Sequence, residues 1–434
     1  MKRTITNVRI YDYQNYIDSG FVIFDDKIIN VGPMSEFQDD GTEIIDGHGQ
    51  LLLPNFVCAH THIYSIFARG MILPFHPKNF QDILDQMWWK MDAKINNETT
   101  YYSGICAASE FMKNGVTTLI DHHASGKEII GSLASLKSAL ADIASIRSIL
   151  CFETSDRYPV DDCIKENHDF CLSNHDSMCA GLFGMHASMS ISDSTLSKIS
   201  KVIGNTPIHI HVAESDMDEK DCREKYGKTI IERLDEYHLI KPDSLIVHGV
   251  HIGDSELDII AKNKAFLVVN TTSNMNNAVG LPDVMNFKRH GVKVLLGNDG
   301  LSTSMATEYL NLFYTTRLKN GTPNAMNLGH VLDVINDSYD YVSQALGVKI
   351  GKIIPGYEAD FLLLPYSPFT PIDQTNIFGH IFFGLYSGFA PRDVYRGGQC
   401  LVKNGKLLNS KLERGLNKSV EISTNLWKTI KENK

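Results

Sequence analysis

Apolar and polar positions alternate in two different ways along the chain, and the change falls near residue 55. Residues 1–54 hold short β-like runs, such as TITNVRIYDY and SGFVIFDDKIINVG, separated by Gly and Asp. Residues 352–434 return to the same rhythm with KIIPGYEADFLLLPY and DVYRGGQCLVKNGKLL. We therefore predict that residues 1–54 and 352–434 combine into one β-sandwich-like domain built from both chain ends.

Residues 55–351 repeat a different unit, in which a short apolar run precedes a helical pattern. The apolar runs lie at 55–62, 116–123, 147–154, 180–187, 206–213, 244–251, 265–272 and 292–299. Segments such as 99–115, 227–240 and 329–347 have the spacing of helices. Strand–helix alternation is typical of a parallel sheet, and eight repeats indicate a barrel. The predicted fold class is α/β, a (β/α)8 TIM barrel with the composite β-domain attached.

Composition restricts the class of protein further. The 434 residues are 43% hydrophobic and 21% charged, which is typical of a globular chain and excludes general disorder. A net charge of −10 argues against a nucleic-acid or anionic-membrane partner. The eight cysteines include no Cys-x-x-Cys pair, and residues 1–15 hold no apolar stretch of signal-peptide length. With no apolar run long enough to cross a membrane, we expect a cytoplasmic protein.

Histidine or aspartate stands near the carboxyl end of six of the eight predicted strands. In a barrel these ends converge on the face that carries the chemistry. His60 and His62 close the first strand two positions apart, so both imidazoles point to one face and can share a metal ion. An isolated His-x-His is equally compatible with a structural role, but His211 and Asp299 end two further strands. The four side chains suit one divalent ion, Zn²⁺ or Fe²⁺.

Three further polar residues are candidates for catalysis. Glu214 follows the fifth strand and is either a proton shuttle beside the metal or an ordinary surface carboxylate. His248 lies on the sixth strand. Asp299 can bind the metal and also accept a proton from the water. His186 ends the fourth strand and is either a substrate contact or a packed histidine. We expect His209, one layer below His211, to be a packed or supporting residue.

Other residues on the same predicted face are candidates for substrate contact. They are Arg69, Trp88, Trp89, His123, Glu153, Asp156 and Arg157. The tryptophans can stack on a flat heterocycle, although packing within a helix explains them equally well. Arg69 is also compatible with a surface ion pair. Some of Glu153, Asp156 and Arg157 can form an internal ion pair that shapes the pocket.

Several of these motifs together resemble the amidohydrolase superfamily. LLLPNFVCAHTH, HIHVAES, LIVHGVH and LLGNDG occur in that superfamily's order, and GKIIPGYEADFLLL resembles its closing β-domain. The chain is most similar to the cytosine-deaminase-like and triazine-hydrolase-like branch. AHTHIYSIFARGM, MWWKMD and SNMNNAVG resemble the aminohydrolases called SsnA, a group associated with purine catabolism.

The resemblance implies that His60, His62, His211 and Asp299 bind the metal. It also implies that Glu214, His248 and Asp299 are catalytic and that His186 contacts the substrate. One departure concerns the seventh strand, where the family often has His-Asn-Pro. Here the chain reads Asn270-Thr271-Thr272, so loop geometry and substrate preference at this corner are open.

We therefore expect a metal-dependent hydrolase that deaminates a purine-like or related nitrogen heterocycle, with Zn²⁺ favoured as the single ion. A ring-opening cyclic amidohydrolase or a chlorohydrolase is the alternative, because each reaction begins with attack by hydroxide. A non-catalytic binding protein of the same fold is a remote alternative, since all four metal ligands are present. We also expect a homo-oligomer, a dimer, in which the apolar stretch 377–389 packs either between subunits or over the β-domain.

Overall fold

The computed structural model describes residues 2–300 and 302–432. The β-strands of these residues are Arg3–Tyr11 (β1), Tyr16–Phe24 (β2), Ile28–Pro33 (β3), Glu43–Asp46 (β4), Leu51–Pro54 (β5), Phe56–Thr61 (β6), Val116–His123 (β7), Arg147–Phe152 (β8), Cys179–Gly181 (β9), Phe183–Ala187 (β10), Ile208–Val212 (β11), Leu245–His248 (β12), Phe266–Val269 (β13), Val294–Leu296 (β14), Phe361–Leu364 (β15), Asp393–Arg396 (β16), Gln399–Lys403 (β17) and Lys406–Leu407 (β18).

Helices connect most of these strands. The α-helices are Phe80–Ile83 (α1), Trp89–Asp92 (α2), Asn97–Lys113 (α3), Ser132–Lys137 (α4), Val160–Ser173 (α5), Asp193–Val202 (α6), Asp216–Tyr226 (α7), Ile230–Glu236 (α8), Asp254–Lys262 (α9), Thr271–Asn276 (α10), Val284–Arg289 (α11), Met305–Asn320 (α12), Leu328–Leu346 (α13), Ile377–Gly384 (α14) and Ser410–Glu432 (α15). Leu84–Trp88 and Ser138–Ile143 are π-helical, and short 3₁₀ turns cover Met34–Glu36, Ile63–Ala68, Ser188–Ser190 and Tyr386–Gly388.

Two parallel sheets form the centre of the molecule. One has the order β6-β7-β8-β9, and the other has the order β10-β11-β12-β13-β14. Single parallel bridges link the sheets at both edges, Thr61 with Asp299 and Thr154 with Met185. The strands are buried on both faces, as expected when helices cover a parallel sheet.

Each of the eight predicted apolar runs contains a strand, with two differences in detail. The run 180–187 is divided at Leu182 into β9 and β10. The run 265–272 is shorter than predicted, because β13 ends at Val269 and Thr271 begins α10. Buried Glu308 accepts hydrogen bonds from the Thr271 hydroxyl and the Thr272 amide, so this helix start is held by a distant side chain.

Strands from both chain ends belong to a third, mixed sheet of nine strands within the described residues. Its order is β18-β17-β16-β15-β5-β1-β2-β3, with β4 paired to β1. Antiparallel pairing of β5 with β15 joins the two ends of the chain. An apolar cluster that includes Val22, Phe24 and Phe361 packs on this sheet.

The expectation of short strands and turns throughout residues 352–434 was wrong for the last part of the chain. Residues Ser410–Glu432 form the helix α15, which buries Leu412, Ile422, Leu426 and Ile430 along one face. This face packs against Tyr64 and Phe67, in the loop that follows β6. The terminal helix therefore supports a loop at the carboxyl end of the parallel sheets, because its apolar residues recur at helical spacing.

The apolar stretch 377–389 packs largely inside the chain. Ile377, Phe378, Ile381 and Phe382 of α14 are buried, whereas Phe383 is exposed. All eight cysteines are free thiols. Within residues 2–300 and 302–432, the helices all fall short of the length and apolar character that crossing a bilayer requires.

Candidate metal centre and active site

Four side chains from three strand ends converge on one point. His60 lies on β6, His62 directly follows it, His211 lies on β11, and Asp299 follows β14. One ligand atom from each lies within 4.8 Å of all the others. His62 Nε2 is 3.1 Å from both His211 Nε2 and Asp299 Oδ1, and His60 Nε2 is 3.4 Å from Asp299 Oδ1. We call these four residues the metal-binding cluster.

Backbone carbonyls determine which nitrogen of two imidazoles points inward. His62 Nδ1 donates to the carbonyl of His122 at 2.7 Å, and His211 Nδ1 donates to the carbonyl of His186 at 2.9 Å. A carbonyl oxygen can only accept, so each Nδ1 carries a hydrogen, and in the neutral ring the lone pair lies on Nε2. Both rings are therefore oriented with Nε2 toward the cluster, as a metal ligand requires.

His60 is oriented by another histidine instead of a carbonyl. Its Nδ1 is 2.9 Å from His209 Nε2, and His209 Nδ1 lies 3.5 Å from Cys151 Sγ. When His60 Nδ1 donates, its Nε2 faces the cluster with a lone pair, and His209 supports the ring from the layer below. His209 is fully buried, and this placement agrees with the supporting role expected for it.

Asp299 is held through both its backbone and its carboxylate. Its carbonyl accepts from the His62 amide and the Thr61 hydroxyl, each at 2.9 Å. The Ser273 hydroxyl donates to Oδ2 at 2.5 Å, which leaves Oδ1 toward the histidines. Burial opposes ionisation, but the adjacent imidazoles of His60 and His62 hold the pKa of Asp299 well below its usual range. Asp299 is therefore an anion at neutral pH.

The backbone takes unusual conformations where the strands end at this site. Ala213, His248 and Asp299 have φ values of 48°, 74° and 58°, in the left-handed region that residues with a Cβ rarely adopt. Ala213 directly follows β11, His248 ends β12, and Asp299 lies three residues after the end of β14. Such conformations cost about 1–3 kcal/mol each and concentrate at functional sites. They turn the chain at the strand ends beside the metal-binding cluster.

The donor set and its geometry fit a tetrahedral divalent ion. His60 Nε2 is buried and has no hydrogen-bond partner within the described residues, although it points into the cluster. Ligands placed about 2.0–2.1 Å from a tetrahedral zinc lie roughly 3.3 Å apart. Three of the six separations, at 3.1–3.4 Å, match that spacing, and all six are within 4.8 Å. Three neutral imidazoles and one carboxylate are also a common zinc donor set.

Glu214 and His248 form a pair beside the cluster. Glu214 Oε2 is 3.5 Å from His248 Nε2, and Glu214 Oε1 accepts from Asn277 Nδ2 at 3.3 Å. The Asn274 amide donates to His248 Nδ1 at 3.0 Å, so His248 carries its hydrogen on Nε2. Burial and the nearby charge of Asp299 raise the pKa of Glu214 well above its ordinary value. Glu214 is therefore a proton donor and His248 a hydrogen-bond donor.

The metal-binding cluster opens into an inner cavity with aromatic walls. Polar lining residues include His62, His186, His211, Glu214 and Asp299, and the aromatic ones include Tyr64, Phe80, Trp88 and Trp89. An outer cavity of about 400 Å³ adjoins it and shares His62, Ser65 and Trp88 as lining. A flat ring fits between such aromatic walls, and the outer cavity leaves room for a substituent.

A second acidic group lines the same inner cavity. Asp92 from α2 and Glu153 from the loop after β8 are both buried and share one cation, Arg157. Arg157 lies 3.3 Å from Asp92 Oδ2 and 2.5 Å from Glu153 Oε1. Burial raises the pKa of Glu153 to about 8, against the opposing effect of Arg157. We call Asp92, Glu153 and Arg157 the carboxylate wall.

Of the other sequence-predicted substrate contacts, the tryptophans line the inner cavity, whereas Arg69, His123 and Asp156 do not. Arg69 is exposed, pairs with Glu110 at 3.5 Å and lines only the outer cavity among the two described. Asp156 accepts from the Ser192 amide at the start of α6, outside the inner cavity. His123 is fully buried, with Nε2 3.1 Å from Thr100 Oγ1. Trp88 lines both cavities.

The sequence reasoning missed four polar residues of the site. They are Asp92, Ser273, Asn274 and Asn277, which contact Arg157, Asp299, His248 and Glu214 respectively. Three of them follow β13 in the segment SNMNN. This segment contributed only to the family resemblance, and no role was predicted for its residues. Asn270 lies deeper: it is fully buried, and its Oδ1 faces Gly297 behind His60.

The chain is similar to known proteins in sequence and in fold. The sequence profile of the amidohydrolase family matches residues 51–401. A 5'-deoxyadenosine deaminase of Methanocaldococcus jannaschii is 25% identical over 413 residues, covering 91% of this chain and 94% of that protein. An adenosine deaminase structure from Xanthomonas campestris with bound zinc has a TM-score of 0.81 at 17% identity and covers 98% of both chains. A triazine hydrolase structure from Arthrobacter aurescens has a TM-score of 0.82 at 17% identity, covering 97% and 99%.

Proposed function

The chain belongs to the amidohydrolase family, and on this premise we propose that it hydrolytically deaminates a purine-like or related nitrogen heterocycle. The observation that carries the proposal is the metal-binding cluster placed beside a protonated Glu214 and the Nε2–H of His248. Similarity to a 5'-deoxyadenosine deaminase supports a purine ring as the substrate. The aromatic walls of the inner cavity support a flat substrate of this kind.

His60, His62, His211 and Asp299 would hold one divalent ion, with Zn²⁺ favoured over Fe²⁺. When bound, this ion supplies Lewis acidity that makes water nucleophilic near neutral pH. Asp299 accepts a proton from the attacking water, and Glu214 donates one to the ring nitrogen next to the amino-bearing carbon. His248 Nε2–H stabilises the oxygen anion that develops on that carbon. The amino nitrogen takes the proton held by Asp299 and leaves as ammonia. The hydroxyl on that carbon returns its proton to Glu214, and the ring keeps an oxo group.

A single ion is favoured by the hydrogen bonds of His62. His62, His122 and Glu153 also bring ligand atoms within 4.8 Å of one another. However, His62 Nδ1 donates to a carbonyl and its Nε2 faces Asp299, so His62 has no nitrogen left for a second ion. The fourth predicted strand ends in β10, which reads FGMHA and holds no lysine that could bridge two ions.

The test combines metal analysis with a screen for ammonia release. The purified protein is assayed for zinc and iron, then incubated with aminopurines, aminopyrimidines, pterins and adenosine-type nucleosides. The nucleosides are included because the outer cavity, which adjoins the inner one, leaves room for a substituent on the ring. About one ion per chain and ammonia from one class of heterocycle is the expected result, and Asp299→Asn abolishes the release.

Other outcomes separate the remaining alternatives. Loss of ring absorbance without ammonia would identify a ring-opening hydrolase, and chloride release from a halogenated ring would identify a chlorohydrolase. A chain that binds no metal after reconstitution would contradict the proposal and favour a non-catalytic binding protein. Each readout is independent of the others, so one preparation distinguishes all four functions.

Several structural expectations belong to the same proposal. We infer that β6, β7, β8, β9/β10, β11, β12, β13 and β14 close into one (β/α)8 barrel, which the bridges at both sheet edges support. The barrel domain then spans residues 55–351, and residues 1–54 and 352–434 form the β-sandwich-like domain. A dimer, a cytoplasmic location and a specific relationship to the SsnA aminohydrolases remain predictions.

A further inference from the structure

The carboxylate wall presents hydrogen-bond acceptors to the inner cavity. Asp92 is 2% exposed and lines the cavity, and its Oδ1 has no hydrogen-bond partner among residues 2–300 and 302–432. Glu153 is also 2% exposed and lines the same cavity. Arg157 contacts Oδ2 of Asp92 and Oε1 of Glu153, which leaves Asp92 Oδ1 as the unpaired acceptor of the wall.

His186 adds another acceptor to the same cavity. The Ser190 hydroxyl donates its hydrogen to the Ala187 carbonyl at 3.1 Å, so its oxygen accepts from His186 Nδ1 at 2.6 Å. His186 therefore carries its hydrogen on Nδ1 and has a lone pair on Nε2. Because His186 lines the inner cavity, a bound molecule meets this ring as an acceptor.

Arg157 is held in place and cannot turn toward a ligand without losing contacts. Its guanidinium lies 4.8 Å from the ring centres of both Trp89 and Tyr158, and it binds both carboxylates. Buried acceptors without donors destabilise the folded chain unless a ligand supplies hydrogens. A ligand with an N–H group near Asp92 Oδ1 therefore complements this wall.

We propose that Asp92 and Glu153 select substrates that present N–H donors at a second position of the ring, in addition to the amino group that is removed. The inference rests on the proposed deamination. Glu214 follows β11 and His248 lies on β12, whereas the carboxylate wall comes from α2 and the loop after β8. A flat ring between them turns one edge to the reacting groups and another to the wall. The substrate class is therefore an amino-heterocycle with a second amino group or a protonated ring nitrogen.

The experiment uses pairs of compounds that differ by one amino group. 2,6-Diaminopurine is compared with adenine, and 2,4-diaminopyrimidine with 4-aminopyrimidine, on the metal-loaded protein. Both the equilibrium dissociation constant and kcat/KM for ammonia release are measured. We expect at least one diamino compound to be preferred about tenfold or more in binding, as a charged acceptor would give.

Asp92→Asn and Glu153→Gln keep the shape of the wall, and each replaces one carboxyl oxygen with an amide NH2 group. We expect each to reduce the preference about tenfold and to leave metal content unchanged. Asp156→Asn is the matched control. Asp156 is exposed and lies on the same loop as Glu153, but it accepts from the Ser192 amide at the start of α6, outside the cavity. It should keep the wild-type preference.

The outcomes separate this inference from the proposed function. Equal binding of both members of each pair by the wild type would overturn the inference, even if a variant failed to fold. An unchanged preference in both folded variants would overturn it too. Ammonia release without any preference would leave the deamination standing and remove the inference. Binding preference that depends on Asp92, without ammonia from any compound, would support the inference and contradict the deamination.

Discussion

The metal-binding cluster and the carboxylate wall line one cavity, but they are built in different ways. The cluster comes from strand ends, and backbone carbonyls or a buried histidine set the direction of each imidazole. The wall comes from a four-residue helix and a loop, and one arginine holds its two carboxylates together. The cluster is thus oriented mainly by the main chain, whereas the wall depends on side-chain charge.

This difference predicts different consequences of mutation. Changes in the metal-binding cluster or beside it remove the ion or the proton transfers, so activity is lost for every substrate. Changes in the carboxylate wall leave the ion in place and alter which ring is bound, or how stability depends on pH. The following variants test that division, beginning with the largest expected effect.

Asp299→Asn should reduce ammonia release by about 10⁴-fold or more, because it removes both a metal ligand and the proton acceptor. Metal content per chain, measured by elemental analysis, should fall in the same preparation. The same Asp-to-Asn change at exposed Asp156 is the control and should retain both. Full activity of Asp299→Asn would contradict the assignment of this residue.

Glu214→Gln should lower kcat by about 10²–10⁴-fold while the metal stays bound, since an amide cannot donate and recover the proton. Its Oε1 can still accept from Asn277, so the local structure should persist. The measurement is kcat with the best substrate of the screen, together with metal content. More than a tenth of wild-type kcat in Glu214→Gln would exclude this proton transfer.

His209→Phe should weaken metal binding about 10- to 100-fold, because it removes the acceptor that orients His60. Competition with a chelator of known affinity measures the effect. His251→Phe is the control, since His251 is exposed and bonds to the Val279 carbonyl outside the cluster. Equal metal affinity in the two variants would show that His60 needs no support from His209.

Glu153→Gln should change how stability depends on pH and leave metal content unaltered. Burial raises the pKa of Glu153 from 4.5 to about 8, so the folded chain retains a proton that the unfolded chain releases. Wild-type stability should therefore fall relative to Glu153→Gln as pH rises from 5 to 8, by about 1–3 kcal/mol. Urea unfolding of both proteins at several pH values measures this difference.

The exposed substitution Glu224→Gln on α7 serves as the control in the same pH series. Its difference from the wild type should stay constant between pH 5 and pH 8. A constant difference for Glu153→Gln as well would show that Glu153 titrates alike in the folded and unfolded chains. The carboxylate wall would then carry no buried proton.

Two parts of the molecule illustrate why the sequence was more informative about the metal-binding cluster than about the carboxylate wall. His60 and His62 were found from their two-residue spacing at the end of an apolar run, which predicts a shared face. Asp92 lies in MWWKMD, a segment where helix packing explains the aromatic residues equally well, and no spacing relates it to Glu153 or Arg157. Such a contact between distant segments leaves no periodic pattern.

The same contrast holds for the secondary structure. The eight apolar runs were recognisable because buried parallel strands are continuously hydrophobic. The helix α15 was missed, although Ile422, Leu426 and Ile430 recur at helical spacing, because the surrounding residues are strongly polar. The helix α10 replaced the end of a predicted strand because its start is held by Glu308, 36 or 37 residues further along the chain.

Local patterns were thus sufficient for the order of the eight strands of the parallel sheets and for the four candidate metal ligands that the structure brings together at the strand ends. They act through periodicity and side-chain chemistry, which a sequence displays directly. The tertiary structure decided the orientation of the imidazole rings and the supporting role of His209. It also decided the hydrogen bonds of Asn277 with Glu214 and of Asn274 with His248, and it assembled the carboxylate wall. These features depend on distances between segments far apart in the chain, and such distances exist only after the strands and helices have packed.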